Sequence, residues 1–236
     1  MFVDPDGRSV VPGKGWEGSR YQQVYEDLRR KSSTYKKFIK NYESPNGRDY
    51  VLNNTVGRGN SSTALAGTSV DFERYGGEES FAKRALQSGK GSFDPHIQSN
   101  FFSTKETQVI DGKQYMLNDL GRALTLIHEG GHAALMSGGS FNMIMNQEVQ
   151  HNEMAMNLVG SIRSALKEYN SELTDQQLDL LSMTGLINEK GSEAGNSLII
   201  KYAKDYWKET IGKDGLESAF NRITQERNQL IYDEKK

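Results

Sequence analysis

The chain has 236 residues, a formal net charge of −2 and no cysteine. The near-neutral charge argues against a dedicated nucleic-acid binder. The lack of cysteine excludes disulfides and any zinc site built from thiolates, so a zinc ion would have to be held by His, Asp or Glu. No apolar run approaches the roughly 18 residues that a membrane span needs, so we expect no membrane-spanning segment.

The first eighteen residues are rich in glycine, proline and aspartate, which predicts an irregular lead-in over residues 1–18. The first thirty residues lack the positively charged segment followed by an apolar segment that characterises a signal peptide. We therefore expect any export to use other means, such as attachment to a longer polypeptide. The remainder, residues 19–236, is long enough for one large domain and is predicted to form one.

Helical spacing of the apolar residues predicts a helical stretch over residues 21–42, with a break near residues 32–33. Short strands are predicted at residues 50–52 and 69–72. They lie in a region rich in glycine, serine and asparagine, which otherwise indicates long loops. His96 falls in one of these loops and is predicted to be a solvated surface residue.

A β-hairpin is predicted over residues 107–116, because two strand-like runs flank an Asp-Gly pair that tolerates the positive φ of a tight turn. A helix is predicted over residues 119–136, which Asn118 or Asp119 can cap and Gly138-Gly139 would end. Further helices are predicted at about 147–169, 174–184, 192–211 and 215–232. These elements make a helix-rich α+β fold, with a small antiparallel sheet before the 119–136 helix and a helical C-terminal half.

Residues 128–132 form an H-E-G-G-H sequence at the end of an apolar run. Residues four apart share a helix face, so His128 and His132 can point two imidazoles at one ion. Glu129 is then placed to take a proton from a metal-bound water. With only four histidines in the chain, roughly 0.005 chance occurrences of this motif are expected. The alternative is an ordinary helix that carries a partly buried pair of histidines.

A catalytic zinc usually takes three protein ligands and keeps a fourth position for water. The predicted helix at 147–169 offers two candidates for the third ligand, His151 and Glu153. Asn152 with Glu153 resembles the Asn-Glu pair on the second helix of thermolysin-like peptidases. The two candidates lie about 200° apart around a helix, so only one of them is expected to reach the ion. A non-ligand histidine so near the motif would be a coincidence, which favours His151 and leaves Glu153 as the alternative.

Two stretches of the chain resemble a known family. Residues 1–8 (MFVDPDGR) resemble the junction at which the RHS/YD-repeat core of bacterial polymorphic toxins meets a variable C-terminal toxin domain. Residues 127–135 (IHEGGHAAL) with 150–155 (QHNEMA) resemble the zincin-like metallopeptidase toxin domains attached to such proteins. The second helix of those domains carries a His-x-x-Met-Ala pattern, matched here by residues 151–155. The resemblance therefore assigns the role of third ligand to His151.

The resemblance implies zinc-dependent peptide hydrolysis, with Zn²⁺ on His128, His132 and His151 and with Glu129 as the general base. The chain would be the effector part of a larger secreted protein and would act in the cytoplasm of a target cell. Its implied partners are a protein or peptide substrate, the parent RHS shell and a cognate immunity protein.

Two alternatives to this function stay open. One is a zinc hydrolase with a different substrate, such as a cell-wall peptide. The other is a non-catalytic binding domain whose motif has decayed. If the chain is an enzyme, whether a peptidase or another zinc hydrolase, we expect the polar segments 53–68 and 75–105 to shape its substrate cleft.

Overall fold

The computed structural model describes residues 10–42, 49–55, 65–87, 95–110, 112–187 and 192–235. Within these ranges the α-helices are α1 (Arg20–Lys31), α2 (Ser33–Ile39), α3 (Glu78–Gln87), α4 (Asp119–Met136), α5 (Phe141–Met145), α6 (Gln147–Glu153), α7 (Val159–Tyr169), α8 (Asp175–Ser182), α9 (Glu193–Tyr202) and α10 (Leu216–Ile231). The strands are β1 (Val10–Pro12), β2 (Tyr50–Thr55), β3 (Ala66–Val70), β4 (Ile97–Phe102), β5 (Thr107–Ile110), β6 (Lys113–Leu117) and β7 (Tyr232–Glu234). The predicted helix-rich α+β class is confirmed. Among the described residues, no helix is both long and apolar enough to cross a membrane.

A four-stranded mixed sheet has the strand order β1-β2-β4-β3. The β1-β2 and β2-β4 pairs are parallel, whereas β3 runs antiparallel to β4. The sequence predicted only a small antiparallel sheet, and it missed β4 and α3 in the region assigned to loops. A strand that pairs in parallel with a distant partner is stabilised by that partner, and its local sequence carries little signal.

Strand β1 corrects one part of the predicted irregular lead-in over residues 1–18, since Val10–Pro12 form a strand. Val10 and Val11 pair with Tyr50 and Val51 in β2, and Trp16, which follows the strand, is buried in the core. Pro12 is tolerated because β1 is an edge strand, where a missing N–H breaks no ladder. Residues 1–9, which include the predicted junction signature, lie outside the described residues.

The predicted hairpin is confirmed by the antiparallel pairing of β5 with β6. Gly112 supplies the positive φ of its turn, at 75°, while Asp111 lies outside the described residues. Strand β7, at the C-terminal end of the chain, pairs antiparallel with β6 and completes a second, three-stranded sheet. The sheet that directly precedes α4 therefore depends on the C-terminal end of the chain.

Helix α4 has the predicted bounds and is buried along most of its length. Asn118 caps it, because its side-chain oxygen accepts a hydrogen bond from Gly121 N at 3.0 Å. The Asn118 amide also donates to the carbonyl of Leu230 at 3.0 Å, which ties the start of α4 to α10. After Met136 the chain turns at Gly138, where φ is 70°. A helix with this much buried surface is a core element, and α1, α2, α5, α7 and α10 pack against it.

The two glycines of the motif serve close helix packing. A Cβ at Gly130 would lie 2.9 Å from the ring of Tyr35 on α2, and a Cβ at Gly131 would lie 2.7 Å from the terminal methyl of Met154. Met154 begins a π-helical turn (Met154–Leu158) that joins α6 to α7. The predicted helix at 147–169 is thus one run with a π turn, a feature that is frequent at functional sites.

Candidate metal centre

Three histidine side chains converge between α4 and α6. The Nε2 atom of His132 lies 3.1 Å from Nε2 of His128 and 3.1 Å from Nε2 of His151. His128 and His132 are one turn apart on α4, and His151 reaches them from α6. One ligand atom from each residue lies within 4.8 Å of the others, so this group could hold a metal ion.

The structure brings His151, and not Glu153, to the motif pair. Among the described residues, the group with ligand atoms close enough to share an ion consists of the three histidines. The Oε1 atom of Glu153 instead accepts a hydrogen bond from Nδ2 of Asn157, at 2.6 Å, along its own helical run. The geometry thus favours His151 among the two alternatives that the sequence left open.

Burial keeps all three imidazoles neutral. It lowers the pKa of His132 to about 3, an effect to which the nearby His151 ring adds and which a hydrogen bond to Gln150 opposes. Burial and the two neighbouring rings also lower the pKa of His128 well below its ordinary value, and burial lowers the pKa of His151. The neutral imidazole is the form that binds a metal, so the cluster is in the ligating state at neutral pH.

Glu129 is buried and is held by a chain of hydroxyl groups that comes from the four-stranded sheet. Its Oε2 atom accepts a hydrogen bond from Oγ1 of Thr68, on β3, at 2.6 Å. The Thr68 hydroxyl also contacts Oγ of Ser99, on β4, which lies 2.8 Å from the hydroxyl of Tyr50, on β2. Burial raises the pKa of Glu129 to about 7, although the hydrogen bonds from Thr68 act in the opposite direction. A carboxyl group with such a pKa suits general acid–base chemistry near neutrality.

The turn after α8 packs against the ring of His128. Gly185 has a φ of 77°, and a Cβ at this position would lie 2.5 Å from Cε1 of His128. The backbone of the adjacent Thr184 also raises the pKa of His128, which partly opposes the effect of burial. The position of this imidazole is therefore set by two elements, α4 and the turn at residues 183–186.

Gln150 contacts the side of the His132 ring that faces away from the other two histidines. Its Oε1 atom lies 2.6 Å from Nδ1 of His132, and its Nε2 atom donates to the carbonyls of Met143 and Ile144, at 2.7 and 3.2 Å. The residue Gln150 is only 3% exposed. It therefore joins the end of α5 to a residue of the histidine cluster.

The fourth histidine has a structural role outside the cluster. Nδ1 of His96 accepts a hydrogen bond from the backbone N–H of Asp49 at 3.1 Å, and the backbone N–H of His96 donates to the hydroxyl of Tyr75 at 2.7 Å. The sequence placed His96 in a loop, which is correct, but the side chain is half-buried and ties the starts of β2 and β4 together.

Three residues at the site were missed by the sequence analysis: Thr68, Gln150 and Gly185. Gln150 had a usable signal, because it directly precedes His151 and a histidine ligand usually needs a partner for its second nitrogen. Gly185 could have been recognised as a turn residue, but its contact with His128 could not. Thr68 carried no local signal, although it falls within the segment 53–68 that was expected to shape the cleft.

The chain matches no protein-family model, no curated protein and no solved structure. A function for it has therefore to be inferred from the geometry of these residues and from the motifs in its sequence.

Proposed function

We propose that the chain is a zinc-dependent peptidase in which His128, His132 and His151 hold the ion and Glu129 is the general base. The observation that carries this proposal is the convergence of three imidazole nitrogens next to a buried carboxyl group on the same helical turn, with Nε2 of His132 3.1 Å from Nε2 of each of the other two histidines. Three protein ligands beside an acid–base group are a combination that catalytic zinc sites use.

The donor set fits zinc. In a tetrahedral site with Zn–N bonds of 2.0–2.1 Å, two nitrogen ligands lie about 3.3 Å apart, close to the 3.1 Å that separates Nε2 of His132 from Nε2 of His128 and from Nε2 of His151. Imidazole nitrogen suits zinc and other transition metals, whereas calcium and magnesium prefer oxygen ligands. Three protein ligands also leave the fourth position that a catalytic zinc needs.

Hydrogen bonding among the rings does not by itself account for the cluster. A neutral imidazole has one N–H group and one lone pair, so Nε2 of His132 offers either one hydrogen or one lone pair. It nevertheless faces two other ring nitrogens at the same distance. A cation that accepts three lone pairs would satisfy all three nitrogens at once.

The residues around the cluster suit peptide hydrolysis. When bound here, zinc would supply Lewis acidity, which polarises a carbonyl group and lowers the pKa of water. Thr68 holds the carboxyl group of Glu129 in place, and Glu129 would take a proton from the attacking water. Glu129 would then pass this proton to the leaving amine.

The position of Thr68 favours an extended peptide as the substrate. Thr68 lies in the middle of β3, which is at the edge of the four-stranded sheet as far as the structure describes it. The free side of an edge strand can pair with an extended peptide through backbone hydrogen bonds. A peptide bound in this way would run past Glu129 and the histidine cluster.

The resemblance of residues 1–8, 127–135 and 150–155 to RHS polymorphic toxins extends the proposal to a biological role. The chain would be the zincin-like C-terminal toxin domain of such a protein, delivered into the cytoplasm of a target cell and neutralised by an immunity protein. Support for this role comes from the sequence motifs, whereas the enzymatic proposal also has the geometry of the site.

Metal analysis and expression in bacteria test the proposal together. The purified wild-type chain should carry about one zinc ion, and a His128→Ala variant should lose it. Expression of the wild type should create new protein termini in the host proteome. Glu129→Gln should keep the zinc and abolish the new termini, whereas Glu153→Gln, the matched control, should change neither.

Two results would contradict parts of the proposal. A wild-type chain that takes up no zinc would exclude the metal centre. New termini that persist in Glu129→Gln would exclude Glu129 as the base. Toxicity that depends on Glu129 without new protein termini would instead favour a zinc hydrolase that acts on another substrate.

A further inference from the structure

We infer that Gln150 is a positioning residue that fixes His132 in the tautomer with a proton on Nδ1, so that Nε2 presents a lone pair to the cluster. The role of that lone pair as a metal ligand rests on the proposed function. The tautomer itself is a property of the chain and can be measured without a metal.

The hydrogen bonds of Gln150 determine which way its amide group points. Its two partners on one side, the carbonyls of Met143 and Ile144, can only accept hydrogen bonds. The NH₂ group must therefore face them, which places Oε1 against His132. The reversed amide would put Oε1 against two carbonyl oxygens, a repulsive arrangement that a buried site cannot relieve with water.

This orientation decides the protonation of His132. An amide oxygen can only accept, so the nitrogen 2.6 Å from it, Nδ1, must carry the hydrogen. A neutral imidazole has a single N–H group, which leaves Nε2 with its lone pair. The residue His132 is 1% exposed, so no bulk water competes with Gln150 for this hydrogen bond.

The short segment formed by α5 and α6 positions both Gln150 and His151 next to His132. The two carbonyls that hold the Gln150 amide belong to the last turn of α5, where a helix leaves its carbonyl groups without partners in the helix. Asn146 then joins α5 to α6 and caps α6 by accepting hydrogen bonds from the N–H groups of residues 148 and 149. Gln150 and His151 therefore act on opposite nitrogens of His132, Nδ1 and Nε2.

Nitrogen-15 NMR of the metal-free protein measures the tautomer directly. Wild-type His132 should show a protonated Nδ1 and a bare Nε2. Gln150→Met, which has a similar length but accepts no hydrogen bond of comparable strength, should populate both tautomers. Its zinc affinity should fall about 10–100-fold, the usual effect of losing the partner of a histidine ligand. Gln147→Met, on the exposed side of the same helix, should leave both readouts unchanged.

The Gln150→Glu variant separates the positioning of His132 from the role of Gln150 in packing against α5. A carboxylate can still accept from Nδ1 of His132, but it can no longer donate to Met143 and Ile144. We expect this variant to be less stable than the wild type, yet to keep the Nδ1 tautomer and to bind zinc more tightly than Gln150→Met. A merely structural role predicts that its zinc affinity falls at least as far as that of Gln150→Met.

The inference would be overturned by a wild-type His132 that is protonated on Nε2, or by a folded Gln150→Met protein with wild-type tautomer and zinc affinity. Failure of the proposed metal centre would look different. In that case the wild type would bind no zinc at all, while the spectrum of the metal-free protein would still report whether Gln150 sets the tautomer.

Discussion

The hydroxyl of Thr68 donates a hydrogen bond to the buried carboxyl group of Glu129 across 2.6 Å, and it thereby links the edge strand of the sheet to the motif helix. Thr68 lies directly opposite Ser99 in the β3-β4 register, and the hydroxyl of Tyr50 lies beyond Ser99. Because Thr68 uses its only hydrogen on the carboxylate, it must accept from Ser99, which in turn must accept from Tyr50. The three hydroxyl groups therefore point their hydrogens towards Glu129.

We predict that Thr68→Val lowers kcat about 10–100-fold with little change in KM, because a hydrogen bond to a charged group contributes about 1.5–3 kcal/mol. Thr68→Ser keeps the hydroxyl and should retain most of the activity. Steady-state kinetics on a peptide derived from the observed cleavage sites provide the measurement. Ser69, which is exposed and points to the other face of β3, supplies the control variant Ser69→Ala. Equal losses in Thr68→Val and Thr68→Ser would rule out the role of the hydroxyl.

Gly185→Ala should weaken zinc binding, because the new methyl group would overlap the ring of His128. The substitution also places a non-glycine residue at positive φ, which costs about 1–2 kcal/mol. Gly76→Ala is a matched control, since Gly76 has a φ of 78° and a Cβ there would meet nothing closer than 3.9 Å. Both variants should lose stability in urea titrations, but only Gly185→Ala should lose zinc affinity. If Gly76→Ala weakens zinc binding as much, backbone strain and not the contact with His128 is responsible.

The parts of the site that the sequence predicted are those that local periodicity determines. His128 and His132 share a face because a helix repeats every 3.6 residues, and Asn118 caps that helix because of contacts within its own first turn. Thr68 and Gly185 reach the site through strand pairing and helix packing between distant parts of the chain. Nothing in their immediate neighbours predicts such contacts.

The sheets likewise contain pairings that local sequence predicts and pairings that depend on distant parts of the chain. Strands β5 and β6 form a hairpin whose turn residues lie between them, so their pairing could be predicted. Strand β1 has three residues and pairs with β2, some forty positions further along the chain. Its strand character comes from the partner, and the local glycine and proline content predicted a loop instead.

The two motif glycines should respond differently to alanine. At Gly131 the new methyl group meets the flexible end of the Met154 side chain, which can move aside. In addition, alanine stabilises a helix interior by about 1 kcal/mol relative to glycine. At Gly130 it meets the ring of Tyr35, which is fully buried. We therefore expect Gly131→Ala to be close to neutral and Gly130→Ala to destabilise the protein by about 1–3 kcal/mol. Urea denaturation measures the free energy of unfolding of both variants. A Gly131→Ala protein less stable than Gly130→Ala would contradict the contacts of these glycines with Met154 and Tyr35.

The Glu168 carboxylate on α7 caps α2 from outside that helix. It accepts hydrogen bonds from the hydroxyl of Ser32 at 2.6 Å, from the hydroxyl of Ser33 at 3.0 Å, and from the backbone N–H and hydroxyl of Thr34 at 2.9 and 3.0 Å. Burial alone would raise the pKa of Glu168, but these hydrogen bonds outweigh it and lower the pKa below its ordinary value. The ionised carboxylate is therefore the form that stabilises the contact between α7 and α2.

A lowered pKa in the folded state means that the stabilisation is present above the pKa of the unfolded chain, roughly 4.3, and is lost as the pH falls through the folded value. We predict that Glu168→Gln lowers the free energy of unfolding at pH 7 by about 1 kcal/mol, since the group is largely exposed and its hydrogen bonds are partly replaced by water. The variant should also lose less stability than the wild type between pH 5 and about pH 3. Urea titrations across this range, with the exposed Glu172→Gln as the control, measure both effects. A difference between wild type and Glu168→Gln that stays constant down to about pH 3 would show that the charge of Glu168 does not stabilise the start of α2.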